Sequence, residues 1–255
     1  MQNHFIVTPF FLDEPSPELE LLAQPGWQIN KPALPDGDTQ RRLSALHQPL
    51  AGFVADTIAR GHRPVSIAGD CCTTIGVLAG LQRAGLNPVL VWLDAHGDFN
   101  TWETTPSGFL GGMPLAMLVG RGEQTLAKAT GLQPFPEAQV ILTDGRDLDP
   151  EEKLALAGSE VTHLPDSGSL LSQPRLAGPL YVHFDTDVIN PNDAPAMSYP
   201  AQGGPSSADL RAIFRSLAQT GQIVAVSMTT WTPRLDRDGR SQAVCMELLH
   251  SLIGQ

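Results

Sequence analysis

The 255-residue chain reads as an α/β protein, a three-layer α/β/α arrangement around a mostly parallel central sheet. Three observations predict this. Short apolar, β-branched runs alternate with helix-like stretches of about 10–15 residues, the pattern of parallel strands joined by crossover helices. Hydrophobic residues make up 42%, enough to cover both faces of such a sheet. Chemistry-bearing residues gather where the apolar runs end, and parallel sheets collect ligands at the carboxyl ends of their strands. The length fits one domain of this class, taken as residues 1–255.

The elements follow in order. Phe5, Ile6 and Val7 form a first strand. The Pro- and Gly-rich stretch 24–38 is loop. Residues 39–60 carry Leu43, Leu46, Leu50, Phe53 and Val54 at helical spacing. Residues 64–69 are a short strand ending in Gly69-Asp70, and a helix over 73–83 follows, capped by Thr73 or Thr74. Strand 88–93 comes next, and Pro114 opens a helix to 119. Strand 140–142 precedes a helix over 147–157. Strands at 160–164 and 180–184 lead to a helix over 207–218, capped by Ser206 or Ser207. A last strand, 222–228, leads to the closing helix 241–253.

Two of these strands end in unusual acidic segments. After Leu93 comes Asp94-Ala95-His96-Gly97-Asp98, and after Phe184 comes Asp185-Thr186-Asp187. With period-two alternation, Asp94, His96 and Asp98 converge on one side of a strand end, and so do Asp185 and Asp187. A single Asp at a strand end is ordinarily a turn former or cap. Carboxylates brought together need a cation or a proton between them. Five metal-competent side chains exceed the need of one cation and point to two divalent cations sharing ligands, the arrangement that makes a hydroxide nucleophile at neutral pH.

Composition narrows the partners. A formal net charge of −11 and a pI of about 4.9 oppose binding to nucleic acid or an anionic membrane surface. Cys71, Cys72 and Cys245 are too few and odd in number for a disulfide framework. No apolar run reaches membrane-spanning length, and the N-terminus lacks the pattern of a signal peptide. A cytoplasmic protein acting on a small molecule is expected.

The ordered motifs resemble the ureohydrolase family of arginases, agmatinases and formiminoglutamases. Its Gly-Gly-Asp-His-Ser block corresponds to Ala68-Gly69-Asp70-Cys71-Cys72, its Asp-Ala-His-x-Asp block to residues 94–98, and its Ser-x-Asp-x-Asp-x-x-Asp-Pro block to residues 183–191. The similarity runs over roughly residues 62–254; the first sixty residues match poorly. It implies an arginase-type fold with two cations, usually Mn²⁺. Asp94 and Asp185 would bridge both. Cys71 and Asp98 would complete one ion, and His96 and Asp187 the other. Asp98 is also a candidate catalytic group. The resemblance further implies a homo-oligomer, trimer or hexamer.

The departures from the family pattern carry information about substrate. The first-block histidine is Cys71, a softer donor that admits Zn²⁺ or Fe²⁺; a cysteine there resembles the hydroxyarginine-hydrolysing branch. His183 stands where the family has Ser, on the same strand face as Asp185 and Asp187. It is a candidate catalytic group, able to donate a ring N–H to a ligand carboxylate, or a core histidine. Asn100, Ser107, Asp149 and Glu152 match positions that hold the amino-acid end of a substrate; the alternative is that they shape loops and that Asp149 caps a helix. Gly111 replaces a proton-shuttle histidine. Thr230 replaces the Glu of a Glu-x-Asn-Pro motif that receives a guanidinium, which disfavours plain arginine and favours a hydroxyguanidine, formimino or amide head group. The expected function is binuclear-metal hydrolysis of a C–N bond in a guanidino, hydroxyguanidino or related compound. The alternatives are an altered homologue with a binding or regulatory role and, more distantly, a two-metal phosphoesterase.

Overall fold

The computed structural model describes residues 1–255. Its centre is an eight-stranded sheet in which every pairing is parallel. In chain order the strands and main helices are β1 (Asn3–Thr8), the small pair β2 (Phe10–Phe11) and β3 (Glu14–Pro15), β4 (Gln28–Ile29), α1 (Thr39–Ala59), β5 (Arg63–Ala68), α2 (Thr74–Arg83), β6 (Val89–Asp94), α3 (Pro114–Leu118), α4 (Thr125–Thr130), β7 (Val140–Asp144), α5 (Pro150–Ala157), β8 (Thr162–Leu164), β9 (Leu180–Asp185), α6 (Ser207–Gln219), β10 (Ile223–Thr229) and α7 (Arg240–Ile253). The sheet order is β4-β1-β5-β10-β9-β6-β7-β8.

Strand alternation divides the core in two. Leu90, Trp92, Leu142 and Tyr181 pack with α1, α2, α3 and α4 in one cluster. Val91, Leu93, Val182 and Phe184 pack with α6 and α7 in the other. Each strand therefore sends even and odd positions into different layers, and the three-layer α/β/α reading holds. No helix is long and apolar enough to cross a membrane.

Local chemistry sets the helix starts. Asp38 accepts the Arg41 N–H at 2.9 Å at the head of α1, and Ser206 accepts the Asp209 N–H at 3.1 Å at the head of α6. The cap expected from Thr73 or Thr74 is absent. Their hydroxyls donate to the carbonyls of Asp70 and Cys71, and Asp70 caps the turn before α2 by accepting the Cys72 N–H at 2.9 Å. The helix expected over 147–157 begins at Pro150 instead, with Asp149 at its N-cap. The stretch 24–38 contains β4, a two-residue edge strand. The β2–β3 hairpin lies against the end of β5: Gly69 donates to the Phe10 carbonyl at 3.0 Å, and a Cβ at Gly69 would sit 2.3 Å from that oxygen. Only glycine allows this approach.

Candidate metal centre

Three strand ends, those of β5, β6 and β9, close in the same way. Asp70, Asp94 and Asp185 each turn back to accept the N–H two residues on, from Cys72 at 2.9 Å, His96 at 2.7 Å and Asp187 at 2.8 Å. This Asx turn anchors each carboxylate at the carboxyl edge of the sheet. Asp70 spends its other oxygen on the Leu12 N–H at 2.8 Å, tying the N-terminal hairpin to the site.

The side chains gather in two overlapping groups. Ligand atoms of Cys71, Asp94, His183 and Asp185 lie within 4.8 Å of one another, as do those of Asp94, His96 and Asp187. Asp94 belongs to both. In the first group the Cys71 Sγ donates to Asp185 Oδ2 at 2.6 Å and lies 3.1 Å from Thr229 Oγ1 and 3.3 Å from His183 Nε2. In the second, His96 Nδ1 is 3.0 Å from Asp187 Oδ2 and 3.5 Å from Asp94 Oδ1. Trp92 Nε1 donates to Asp94 Oδ2 at 2.9 Å.

The electrostatics of this cluster call for a cation. Burial, then the neighbouring carboxylates, push Asp98 and Asp185 well above the ordinary carboxylate range, and Asp187 rises for the same reasons. Burial works to lower His96, but hydrogen bonds to Asp187 and Asp94 override it and push the imidazole up to about 12. Those His96 contacts also hold Asp94 below its usual value against its own burial. Burial and then the carboxylates of Asp185, Asp98 and Asp94 raise the Cys71 thiol. Dications placed here relieve the carboxylate repulsion and reverse the preference of the thiol and imidazole for their protons. The donor set of carboxylates, imidazoles and a thiolate fits first-row divalent metals.

Above the cluster opens a cavity of about 440 Å³, lined by Cys71, His96, Asp98, Asp185, Asp187 and Thr230 and also by Asn100, Ser107, Asp149 and Glu152. No Lys or Arg lines it, which removes the anchors a phosphoesterase would need. The four residues expected at the amino-acid end of a substrate do reach the cavity, where Asn100, Asp149 and Glu152 also hold one another. Asn100 Nδ2 donates to Asp149 at 2.9 Å. Glu152 accepts the N–H groups of Phe99 at 2.8 Å and Asp149 at 3.1 Å. Ser107 Oγ accepts the Phe109 N–H at 3.2 Å. At Gly111 a Cβ would meet the Phe109 ring at 2.4 Å, so that ring fills the room a larger residue would require.

The family model described as the arginase family matches residues 28–254. An arginase from Bacillus caldovelox is 30% identical over 237 residues, covering 86% of this chain and 79% of the relative. The chain belongs to the arginase family. Family membership makes it a metal-dependent amidinohydrolase that cleaves a guanidino-type C–N bond. Another relative, the N(omega)-hydroxy-L-arginine amidinohydrolase of Streptomyces lavendulae, is 28% identical over 252 residues, 97% of this chain and 85% of that one. The crystal structure of Bacillus subtilis arginase superposes with a TM-score of 0.87 at 25% identity, covering 100% of this chain and 99% of the other. The family match begins well before residue 62, so it takes in α1 and β5 as well as the three motif blocks.

Against this family frame, two placements differ from the sequence expectation. Asp98 lines the cavity and faces Asp94 and Asp185 electrostatically, but its carboxylate is outside both close donor groups. Its backbone is left-handed, φ 48°, a conformation Asp tolerates. His183 does not line the cavity and touches no ligand carboxylate by hydrogen bond. Its Nδ1 meets Ser227 Oγ at 2.9 Å and its Nε2 meets the Cys71 sulfur. Thr230 is where expected, also left-handed at φ 70°, and its hydroxyl donates to Asp185 Oδ1. A β-branched residue at positive φ is strained, and such strain concentrates at functional sites.

Sequence reasoning missed Arg146. Its guanidinium donates to Asp144 Oδ2 at 3.1 Å and to the carbonyls of Asp187, Val188, Ala201 and Gln202 at 3.0–3.1 Å. It clamps the segment that presents Asp187. It also missed the rings of Phe11, Phe109 and Tyr199, which line the cavity with centroids 5.2–6.5 Å apart. A lone arginine beside an acidic block was a usable signal for the first; nothing local flagged the second.

Proposed function

We propose that the chain hydrolyses a C–N bond of a hydroxyguanidino compound or another amidine less basic than arginine. The observation that carries this is the pair of donor groups sharing Asp94 at the floor of a cavity whose Thr230 end offers a hydroxyl. In this reading Asp94, His96 and Asp187 would hold one divalent cation, and Asp94, Asp185 and Cys71 the other. A pair bound there would supply hydroxide at neutral pH and polarise the scissile group.

The protein's own residues orient the substrate. The Thr230 hydroxyl, turned to Asp185, brings no charge to its end of the cavity, and losing one partner of a buried charged pair costs about 3–5 kcal/mol. A neutral head group avoids that loss. Asp98 lines the cavity wall beside Asp94 and Asp185, where a carboxyl group can exchange a proton with a departing nitrogen. Asn100, Ser107, Asp149 and Glu152 set the depth and shape of the distal end. The near-complete donor set opposes a purely regulatory homologue, because buried carboxylates without a partner are costly. We further read the protein as a cytoplasmic homo-oligomer, trimer or hexamer, which sedimentation of the purified chain checks.

The test is urea and ammonia release across guanidino, hydroxyguanidino and formimino substrates, with elemental analysis of the same sample. Hydroxyguanidine turnover well above that of arginine is expected. Arginine turnover equal to or faster than the others overturns the assignment of Thr230.

A further inference from the structure

We propose that the imidazole missing at position 71 is supplied from β9: His183 Nε2 and the Cys71 thiolate together bind one cation of the pair, giving a nitrogen–sulfur–carboxylate site that favours Zn²⁺ over Mn²⁺. This rests on the reading of the cluster as cation-bound.

The geometry is specific. Cys71 follows β5 and His183 lies within β9, with only β10 between them in the sheet. Both side chains lie on the α1/α2 face, where they meet with Nε2 and Sγ 3.3 Å apart. Zinc–nitrogen and zinc–sulfur bonds of about 2.0–2.1 and 2.3 Å set a tetrahedral edge of roughly 3.6 Å, so the observed separation is within a few tenths of an ångström of a ligating pair. Asp94 and Asp185 supply two further oxygens in the same group. That completes four donors of the types zinc takes.

The surroundings of His183 set its ring for this role. Nδ1 faces Ser227 Oγ at 2.9 Å, and Ser227 in turn meets the Tyr181 hydroxyl at 2.8 Å. A ring that donates Nδ1–H to Ser227 leaves the Nε2 lone pair pointing at the cluster, the tautomer a metal ligand needs. Trp92 packs against the ring at a tilt, 4.0 Å between centroids and 46° between planes, and limits its rotation. The histidine is fully buried, so it has no exchange with solvent to serve as a shuttle. Thr229 Oγ1, 3.1 Å from the sulfur, flanks the thiolate from β10. Cation binding releases the thiol proton, which now sits on the Asp185 contact, to solvent.

Thiolate and imidazole shift selectivity because Mn²⁺ is harder and prefers oxygen-rich sites, whereas zinc and cobalt take sulfur readily. Position 71 and position 183 therefore supply the sulfur and the nitrogen of one site.

The experiment titrates metal-free protein with Co²⁺ and follows thiolate-to-cobalt charge-transfer absorption in the near ultraviolet. Wild type is expected to show the band. Cys71→Ser is expected to lose it, and His183→Asn to weaken cobalt binding at that position by about tenfold or more. Cobalt retained at the Asp94–His96–Asp187 position reports that each variant still folds. A double variant, Cys71→His with His183→Ser, is expected to raise the retained Mn-to-Zn ratio about tenfold in competitive dialysis. Since zinc outcompetes manganese at most sites, the ratio between proteins is the readout. Cobalt bound with no thiolate band, or an unchanged spectrum and affinity in His183→Asn, overturns the inference and leaves the hydrolase assignment standing. No cobalt bound anywhere overturns both.

Discussion

Replacing Arg146 with Met tests how the cluster is supported. The arginine makes five hydrogen bonds, one to the Asp144 carboxylate and four to main-chain carbonyls, including that of Asp187. Asp144 is 7% exposed at its side chain. Burial raises its proton affinity, and Arg146 is the chief influence holding it down. Methionine keeps much of the volume but leaves the carboxylate and the carbonyls without donors. Breaking a largely buried pair in this way costs about 3–5 kcal/mol. At about 2–4 °C per kcal/mol for a chain of this size, the melting midpoint falls by roughly 6–20 °C. The loss carries a pH signature. With its folded-state proton affinity raised further, Asp144 contributes full stability below its unfolded value near 3.8, and that contribution is lost as pH rises through the higher folded value. The gap between variant and wild type is therefore smaller in acid than at neutrality. Asp144→Asn in the same background recovers part of the loss, a coupling that a double-mutant cycle by thermal denaturation measures. A midpoint shift under about 2 °C, or a gap that widens in acid, refutes the clamp.

Other outcomes follow from single contacts. Trp92→Phe removes the N–H that Asp94 Oδ2 accepts, and cation affinity by calorimetry is expected to fall about 10–100-fold with the circular dichroism unchanged; unchanged affinity rejects the role of the indole. His47 is buried with neither ring nitrogen partnered, and burial lowers it from 6.5 to about 3. Between those values the unfolded chain binds the extra proton, so stability falls with pH by about 1.4 kcal/mol per unit, or roughly 2 kcal/mol at about pH 5. His47→Leu removes that share of acid sensitivity, and equal acid sensitivity in both proteins argues against it. Gly111→His drives a side chain into the Phe109 ring and is expected to cost about 1–3 kcal/mol. Adding Phe109→Ala should relieve it, which chemical denaturation of the single and double variants decides.

Periodicity made the sheet legible in the sequence, because strands buried on both faces are nearly continuous apolar runs. Strands 88–93, 180–184 and 222–228 stand within a residue or two of β6, β9 and β10. What escaped was structure made by short contacts. The two-residue strand β4 has no pattern of its own and exists only by pairing with Val7 and Ile6 of β1. Helix α4, six residues long, is below the length at which spacing is informative. At the site, the motif blocks supplied the donors but not their distances. Strand alternation put His183 and Asp185 on one face correctly, yet only the order of strands in space shows that this face brings β9 to Cys71 across β10. Asp98 illustrates the reverse: the spacing Asp94, His96, Asp98 presumes extended backbone, but the chain leaves β6 at Asp94 and is left-handed at 98, so its carboxylate faces Asp94 and Asp185 from a turn rather than from the strand.

The three Asx turns also resolve the choice between capping and ligation posed by acidic strand ends. A carboxylate has about four acceptor sites, and a turn uses only one. What each Asp does with the remainder separates them. Asp70 gives its second oxygen to the Leu12 N–H, a main-chain donor that cannot leave without undoing the hairpin, so this residue is structural although it lines the cavity. Asp94 gives its second oxygen to a side-chain indole and keeps lone pairs facing both His96 and Cys71 groups. Asp185 accepts from a thiol and a hydroxyl, Cys71 and Thr230; the thiol gives up its proton when a cation binds, and the hydroxyl can turn away. Turn formation positions the carboxylate without consuming it, and a second partner on a side chain rather than on the main chain, not the presence of the cap, marks which strand end is free to hold metal.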